Sequence, residues 1–195
     1  MNRAGSLLLA ILLLAGAYSL LHLLTTERPI GSERLVGRAL PHFAAPLATG
    51  TFDNDANVTQ RDGQGGTPAC DVRLTGVFNV CDVGSRPLAI IFWSDEGVVC
   101  ERQVDRLDMA TRDLPALRTV AIAMRMSRAD AARIARAHHW RLPAAIDRDG
   151  ALTALYKVGG CPTTFFARGG VIQRVRLGVM SDDRLVGELR ELSDG

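Results

Sequence analysis

The sequence has little of what a nucleic-acid-binding protein needs. Lys157 is its single lysine, and arginine supplies the rest of the 23 basic residues. The 21 acidic residues leave a net charge of only +2, and no run of Lys or Arg is present that would follow a phosphate backbone. These features exclude nucleic acid as the expected partner and indicate a solvated surface of mixed charge.

The sequence also lacks the paired C-x-x-C spacings of structural zinc sites. It has four cysteines, Cys70, Cys81, Cys100 and Cys161, and none of their spacings is of this kind. His42 is a lone histidine near a predicted linker, a setting more typical of an inert side chain than of a ligand. We therefore expect no bound metal and no cofactor.

One long apolar run is present, at the N-terminus. Residues 6–24 hold no charged side chain, and a helix of this length would span about 28 Å, the thickness of a hydrocarbon core. We predict a signal-anchor that forms a single transmembrane helix over residues 1–26, followed by a polar linker over 27–36. The rest of the chain then lies on the extracytoplasmic side of the cytoplasmic membrane. The alternative is a secreted protein, because the small residues Ala15–Ala17 resemble a signal-peptide cleavage site.

An extracytoplasmic location changes what the cysteines predict. Four cysteines in an oxidising compartment indicate two disulfides, for which three connectivities are open. Cys70 and Cys81 lie in a polar insertion of about residues 50–85 that is rich in Asp, Asn, Gly and Gln. A disulfide between them would close a loop of about 12 residues and stabilise the fold by about 2–3 kcal/mol. We predict a structural disulfide here, and "LTG" and "FNV" between the two cysteines are possible short strands.

From Arg86 onward the hydrophobic pattern alternates between strand and helix. The runs "PLAIIFW", "ALRTVAIAM" and "LPAAID" are typical of buried parallel strands. Helical spacing of apolar residues follows each run, with Ser127 as a predicted N-cap. A β-hairpin around a Gly-Gly turn comes next, and a last helix starts at Ser181 or Asp182. This order predicts an α/β domain over residues 37–195, with a central mixed sheet and helices on both faces.

Three segments of this domain resemble the thioredoxin-like superfamily. They are "GRALPHF", with Gly37, Pro41 and Phe43; "IIFWSDEGVVC", a strand followed by a turn and a cysteine; and "LYKVGGCPTTFFARGGVI". The resemblance is closest to the extracytoplasmic redoxin branch, which is TlpA-like and overlaps the AhpC/TSA family. It implies a thioredoxin-like fold in which Pro162 follows a cis peptide bond and its loop faces the active-site sulfur.

The second segment departs from that family at its first cysteine. The family's exposed nucleophile would stand at Gly97, and Cys100 takes the place of the resolving cysteine. By resemblance, Cys161 precedes the cis proline and faces the helix start. We therefore expect Cys100 and Cys161 to meet as an unusual redox pair, with Pro162 and Trp93 completing the candidate catalytic site. A disulfide between them needs Cα atoms about 4.4–6.8 Å apart.

The resemblance implies a thiol–disulfide oxidoreductase whose partners are protein thiols or disulfides, or an extracytoplasmic redox partner. At a helix start, unpaired N–H groups and the helix dipole would stabilise a Cys100 thiolate, and Cys161 would resolve the mixed disulfide. Asp95 and Glu96 lie close to this turn. Their negative charge would raise the pKa of the thiol, unless one of them acts as its proton acceptor.

Two other functions stay open on the same residues. One is a non-catalytic domain that binds a partner and keeps both disulfides as structural links. The other is a peroxiredoxin-like peroxidase, although the sequence lacks the Pro and Thr of that family's P-x-x-x-T-x-x-C motif, and Arg174 or Arg176 would have to supply its arginine. His138 and His139 close a predicted helix and fit helix-end electrostatics better than catalysis. The oligomeric state does not follow from the sequence.

Overall fold

The structure is a computed structural model that describes Leu13 and residues 31–61 and 66–194. Apart from Leu13, the predicted anchor lies outside the described residues, and so does the start of the predicted linker. In the part of the chain that the structure describes, no helix combines the length and the apolar character needed to cross a membrane.

From residue 88 onward, strands and α-helices follow one another in the predicted order, with the β-hairpin before the last helix, so this prediction is confirmed. The strands are β1 (Ala44–Pro46), β2 (Val77–Asn79), β3 (Leu88–Trp93), β4 (Arg118–Met124), β5 (Ala144–Asp147), β6 (Thr163–Arg168) and β7 (Val171–Leu177). The α-helices are α1 (Val98–Thr111), α2 (Arg128–Ala137), α3 (Ala151–Leu155) and α4 (Asp182–Asp194).

A five-stranded mixed sheet with the order β5-β4-β3-β6-β7 forms the centre of the domain. Strands β3, β4 and β5 are parallel, and the hairpin of β6 and β7 adds two antiparallel strands beside β3. The predicted N-cap of α2 is also confirmed, because the Ser127 hydroxyl accepts a hydrogen bond from the N–H of Asp130 at 3.1 Å. The last helix, α4, begins at Asp182, directly after Ser181.

Side chains of the central strand β3 point alternately into two separate cores, as the two-residue period of a strand requires. Ile91 and Trp93 pack with residues of α1, α2 and α4, whereas Ile90 and Phe92 pack with α3 and Phe43. Every residue of β3 is buried, because both faces of the sheet are covered. The prediction of helices on both faces is therefore confirmed.

Residues 37–48, called the leading segment below, run across the sheet from one edge to the other. The N–H of Gly37 donates to the carbonyl of Ile172 on the edge strand β7 at 2.8 Å. At the opposite edge, the N–H of Ala48 donates to the carbonyl of Ala144 on β5, also at 2.8 Å. One short stretch of chain thus makes backbone contacts with both outer strands.

The predicted insertion contributes a strand of its own. Strand β2 pairs antiparallel with β1 of the leading segment, and it contains Phe78 of the predicted strand "FNV". The prediction of a second strand, over Leu74–Gly76, is wrong. It forms a turn in which the N–H of Val77 donates to the Leu74 carbonyl at 3.3 Å and Gly76 has a φ of +80°, a conformation that favours glycine.

Two short 3₁₀ turns of the insertion carry its cysteines. Cys70 lies in the turn Ala69–Asp71, and Cys81 lies in the turn Val80–Val83. The predicted disulfide between them is present, with Cα atoms 5.4 Å apart. It links the two halves of the insertion beside the leading segment.

Candidate redox site

The second disulfide joins Cys100 to Cys161, whose Cα atoms are 5.7 Å apart. Cys100 is the third residue of α1. Cys161 lies two residues before the start of β6, and Pro162 stands between them. The peptide bond between Cys161 and Pro162 is cis, as the resemblance implies. The structure therefore brings together Cys100, Cys161 and Pro162, although the two cysteines are 61 residues apart in the sequence.

Backbone and hydroxyl contacts hold the loop around Pro162 against the sheet. The Thr163 hydroxyl donates to the carbonyl of Gly160 at 2.6 Å, which closes the turn that carries Cys161. On the other side, the N–H of Gly178 donates to the carbonyl of Pro162 at 2.8 Å. The cis-proline loop is thus tied to the residues that follow β7.

Helix α1 is fixed to the same residues that follow β7. The buried side chain of Gln103 accepts a hydrogen bond from the N–H of Met180 at 3.0 Å. Arg106 donates to the carbonyl of Met180 at 2.7 Å and forms an ion pair of 3.2 Å with Asp182. Since the cis-proline loop uses this segment too, the helix carrying Cys100 and the loop carrying Cys161 share one support.

Ser94 is a site residue that the sequence analysis missed. Its hydroxyl oxygen lies 3.2 Å from the sulfur of Cys161, and the residue is only 6% exposed. Ser94 directly follows the last residue of β3, in the short connection that leads to the start of α1. The sole sequence signal was this position after Trp93, because serine carries no distinctive motif. A buried hydroxyl beside a sulfur can hydrogen-bond to it in either redox state.

The two sulfur-bearing residues differ in exposure. Cys100 is 4% exposed, whereas Cys161 is half-buried at the surface of the site. Asp95 and Glu96 are both exposed. Neither carboxylate has a hydrogen bond to the disulfide among the contacts of the described residues, whereas the Ser94 hydroxyl lies against Cys161.

Trp93 lies in the core rather than at the rim of the site. It has no exposed surface, and its ring packs edge-to-face against Trp140 at a centroid distance of 4.9 Å. The indole N–H of Trp140 in turn donates to Asp105 of α1 at 2.6 Å. Trp93 therefore has no surface available to a substrate, and its position favours a role in packing α1 against the sheet.

His138 does more than end its helix. Its ring nitrogens lie 2.9 Å from a carboxylate oxygen of Asp105 and 3.1 Å from one of Glu101. Both carboxylates belong to α1, and Glu101 directly follows Cys100. His138 thus connects the end of α2 to the first turns of α1, a tertiary contact that helix-end electrostatics did not predict. His139 is exposed.

The arginines considered for a peroxide site are engaged elsewhere. Arg174 forms ion pairs with Glu188 and with Glu191, the latter at 3.3 Å. Arg176 pairs with the same Glu188 at 2.6 Å, and this glutamate is only 7% exposed. These contacts join β7 to α4, so both guanidinium groups have a structural role on the hairpin.

Comparisons with known proteins give a fold but no family model. No protein-family model and no curated protein sequence matches the chain. Among solved structures, a secreted disulfide oxidoreductase of Mycobacterium tuberculosis that is homologous to E. coli DsbE has a TM-score of 0.58 and 19% identity. That alignment covers 76% of this chain and 94% of the other.

Two further structures align over similar lengths. The thioredoxin domain of a thiol-disulfide oxidoreductase from Bacteroides vulgatus has a TM-score of 0.60 and 12% identity, covering 81% of this chain and 97% of that one. The peroxidoxin BcpB of M. tuberculosis has a TM-score of 0.59 and 15% identity, covering 84% and 98%. At these identities the likeness establishes the fold, and the chain has a thioredoxin-like fold of the kind found in oxidoreductases and peroxidoxins.

Proposed function

We propose that this chain is a thiol–disulfide oxidoreductase in which Cys100 and Cys161 form the redox pair. The observation that carries the proposal is the disulfide itself, which joins the start of α1 to the residue before a cis proline. Its half-buried member, Cys161, is also in contact with a buried hydroxyl. Solved structures with the same fold include disulfide oxidoreductases, which supports this class of reaction.

The exposure of the two cysteines favours an order of reaction opposite to the one expected from sequence. Cys161 is the more accessible residue, so its thiolate attacks a sulfur of the substrate disulfide and expels one substrate thiolate. Cys100, at the helix start, then attacks the Cys161 sulfur of the mixed disulfide. This second step closes the Cys100–Cys161 disulfide and releases the other substrate thiolate. Two electrons pass from the pair to the substrate, and the reverse sequence oxidises a substrate dithiol.

Local contacts suit these roles. A hydrogen bond from Ser94 to a Cys161 thiolate would favour the charged form of the attacking sulfur. Cys100 lies in the first turn of α1, where the helix dipole stabilises negative charge on its sulfur. Each sulfur therefore has a neighbour that stabilises negative charge once the disulfide is reduced.

We further propose that the domain works outside the cytoplasm, attached to the membrane by residues 6–24. The apolar length of that segment and the absence of charge within it support an anchor. All four cysteines of the chain are in disulfides, which form and persist in oxidising compartments. A structure with the same fold is described as a secreted protein. Recovery of the intact chain in the membrane fraction after an alkaline wash tests the anchor, and a soluble, shortened chain would contradict it.

Single-cysteine variants test the redox pair and its order. After reduction, full-length Cys100→Ser should form a mixed disulfide with oxidised glutathione at Cys161. Cys161→Ser should react at Cys100 at least about tenfold more slowly, because rates of exchange depend on access to the thiol. Mass spectrometry of the adducts over time measures both rates. Equal rates, or a faster reaction at Cys100, would contradict the proposed order.

The reduction potential separates an enzyme from a structural link. A Cys100–Cys161 potential above about −300 mV, reversible in a glutathione or dithiothreitol buffer, supports thiol–disulfide exchange. A potential well below that value would instead support a non-catalytic, partner-binding domain. Consumption of hydrogen peroxide by the reduced chain would be the result expected of a peroxidase, and we expect none because Arg174 and Arg176 are paired with Glu188.

A further inference from the structure

A histidine lies against the other disulfide. A ring nitrogen of His42 and the sulfurs of Cys70 and Cys81 all lie within 4.8 Å of one another. His42 is exposed, and the two cysteines are half-buried. The three residues come from separate parts of the chain, which is why the sequence spacing showed no metal site and His42 looked inert.

A buried side-chain amide links the two cysteine-bearing turns independently of the disulfide. Asn79 is 5% exposed, and its side-chain oxygen accepts from the N–H of Cys81 at 2.9 Å. Its amide nitrogen donates to the carbonyls of Ala69 at 2.8 Å and Val72 at 2.9 Å, on both sides of Cys70. Because one side chain spans both turns, their positions do not depend on the sulfur–sulfur bond alone.

The main chains of Cys70 and His42 are anchored in the same way. Arg73 donates to the carbonyl of Cys70 and pairs at 3.4 Å with Asp82, which follows Cys81. The N–H of His42 donates to the side chain of Gln60 at 2.9 Å, and the Gln60 amide donates back to the His42 carbonyl at 2.8 Å. When the disulfide opens, two thiols and an imidazole stay close together on a supported backbone.

We propose that reduction of Cys70–Cys81 by a dithiol converts this disulfide into a binding site for a thiophilic d¹⁰ cation, Zn²⁺ or Cu⁺. The dithiol becomes a disulfide, and its two hydrogens pass to Cys70 and Cys81. The cation then binds both thiolates and His42, which releases the two thiol protons. Two sulfurs and one imidazole form a ligand set that these cations prefer, and a tetrahedral Zn²⁺ keeps its fourth position for water.

The charge and the preorganisation of the cluster both favour a cation. Two thiolates neutralise a Zn²⁺ ion, whereas the disulfide offers it no anionic ligand. Ligands that are already held near one another lose less conformational freedom on binding, which strengthens affinity. The oxidised chain keeps a structural link at this position, and the reduced chain replaces that link with a metal.

Cobalt titration tests the site in the full-length chain. The variant Cys100→Ser/Cys161→Ser removes the other thiols, and a water-soluble phosphine, itself oxidised to its oxide, reduces Cys70–Cys81 before anaerobic removal. We expect one equivalent of Co²⁺ to bind, with a thiolate-to-cobalt charge-transfer band and the visible bands of tetrahedral cobalt. Added Zn²⁺ should remove these bands. The oxidised variant should show none of them.

The histidine variant separates a built site from free thiols. His42→Ala should weaken binding at least about 100-fold, because even the loss of a residue that only supports a ligand costs 10–100-fold. His139→Asn removes an exposed histidine that is not part of the cluster and whose φ of +55° suits asparagine, and it should leave the affinity unchanged. Reduced wild-type chain, titrated alongside, should show the same dependence on His42. Absent bands in the reduced chain, equal bands in the oxidised chain, or equal affinity in His42→Ala would overturn the proposal.

Discussion

At the scale of single residues, the Ser94 hydroxyl is positioned to hydrogen-bond to Cys161 once the disulfide is reduced. The residue is only 6% exposed, and its hydroxyl lies 3.2 Å from the sulfur, within hydrogen-bond distance. A donor to the charged form of an acid lowers its pKa. A hydrogen bond to a charged group contributes about 1.5–3 kcal/mol.

Removal of this hydroxyl should therefore raise the pKa of the Cys161 thiol. In a Cys100→Ser background we expect Ser94→Ala to move the onset of Cys161 alkylation to higher pH. The pH dependence of alkylation by iodoacetamide measures the shift. Ser94→Thr keeps a hydroxyl and should stay close to the parent. A pH profile that is the same with Ala as with Ser would show that Ser94 does not act on the thiolate.

Cysteine and proline were the site residues that the sequence could identify. The segment around Cys161 and Pro162 resembles a known loop, and that loop lies opposite the start of α1, where Cys100 was expected. Ser94 and His42 have their proposed roles only because of where the fold places them. Their neighbours are distant in sequence, and a lone serine or histidine has no pattern that reveals such a neighbour.

At the scale of elements, a buried carboxylate organises the short helix α3. Asp147 ends β5 with no exposed surface, and it accepts from the N–H groups of Leu152 at 2.9 Å and Thr153 at 2.8 Å. It also accepts from the Thr153 hydroxyl at 2.6 Å. A helix of five residues is far too short to be stable by itself, so these bonds and the burial of Leu152 position it.

Loss of the Asp147 carboxylate should destabilise the fold much more than loss of an exposed neighbour. We expect Asp147→Ala to lower the free energy of unfolding by about 3 kcal/mol, because it leaves buried donors without a charged acceptor. Asp149→Ala removes an exposed carboxylate that accepts from the N–H of Ala151 at the same helix start, and it should cost about 1 kcal/mol or less. Denaturant unfolding of the oxidised chains measures both values. Similar losses in the two variants would contradict this role for Asp147.

Elements of the sheet were predictable where their apolar runs were long. Strands such as β3 and β4 carry a continuous buried run, and helices such as α2 carry an N-cap before a periodic pattern. The insertion was harder, because a strand of three residues such as β2 has no period to detect. Its neighbour Leu74–Gly76 has similar composition and forms a turn, since Gly76 adopts a positive φ.

At the scale of the whole molecule, Tyr156 joins the leading segment to the sheet. It has no exposed surface, and its hydroxyl donates to the carbonyl of Pro41 at 2.8 Å. Its ring contacts Phe43 and, across the core, Phe92 and Phe165. Desolvation by burial raises the pKa of Tyr156 well above its ordinary value of 10.0.

That raised pKa makes global stability fall in alkali. A tyrosine in the unfolded chain ionises near pH 10, whereas folded Tyr156 stays neutral. The unfolded state then binds fewer protons than the folded state, so the stabilising contribution is complete below about pH 10 and is lost as the pH rises above it. We expect Tyr156→Phe to be about 1 kcal/mol less stable near neutrality but to lose less stability in alkali. Unfolding free energies from pH 8 to pH 11 measure the slope, and equal slopes for both chains would contradict the assignment.

The path of the leading segment also bears on how copies of the chain behave towards one another. An outer strand with unpaired N–H and C=O groups is a template for pairing with a foreign strand and for aggregation. Residues 37–48 form hydrogen bonds with some of the backbone N–H and C=O groups of both outer strands, β7 and β5. Removal of residues 37–48 would therefore expose both sides of the sheet at once, and the shortened domain would be prone to self-association through its outer strands.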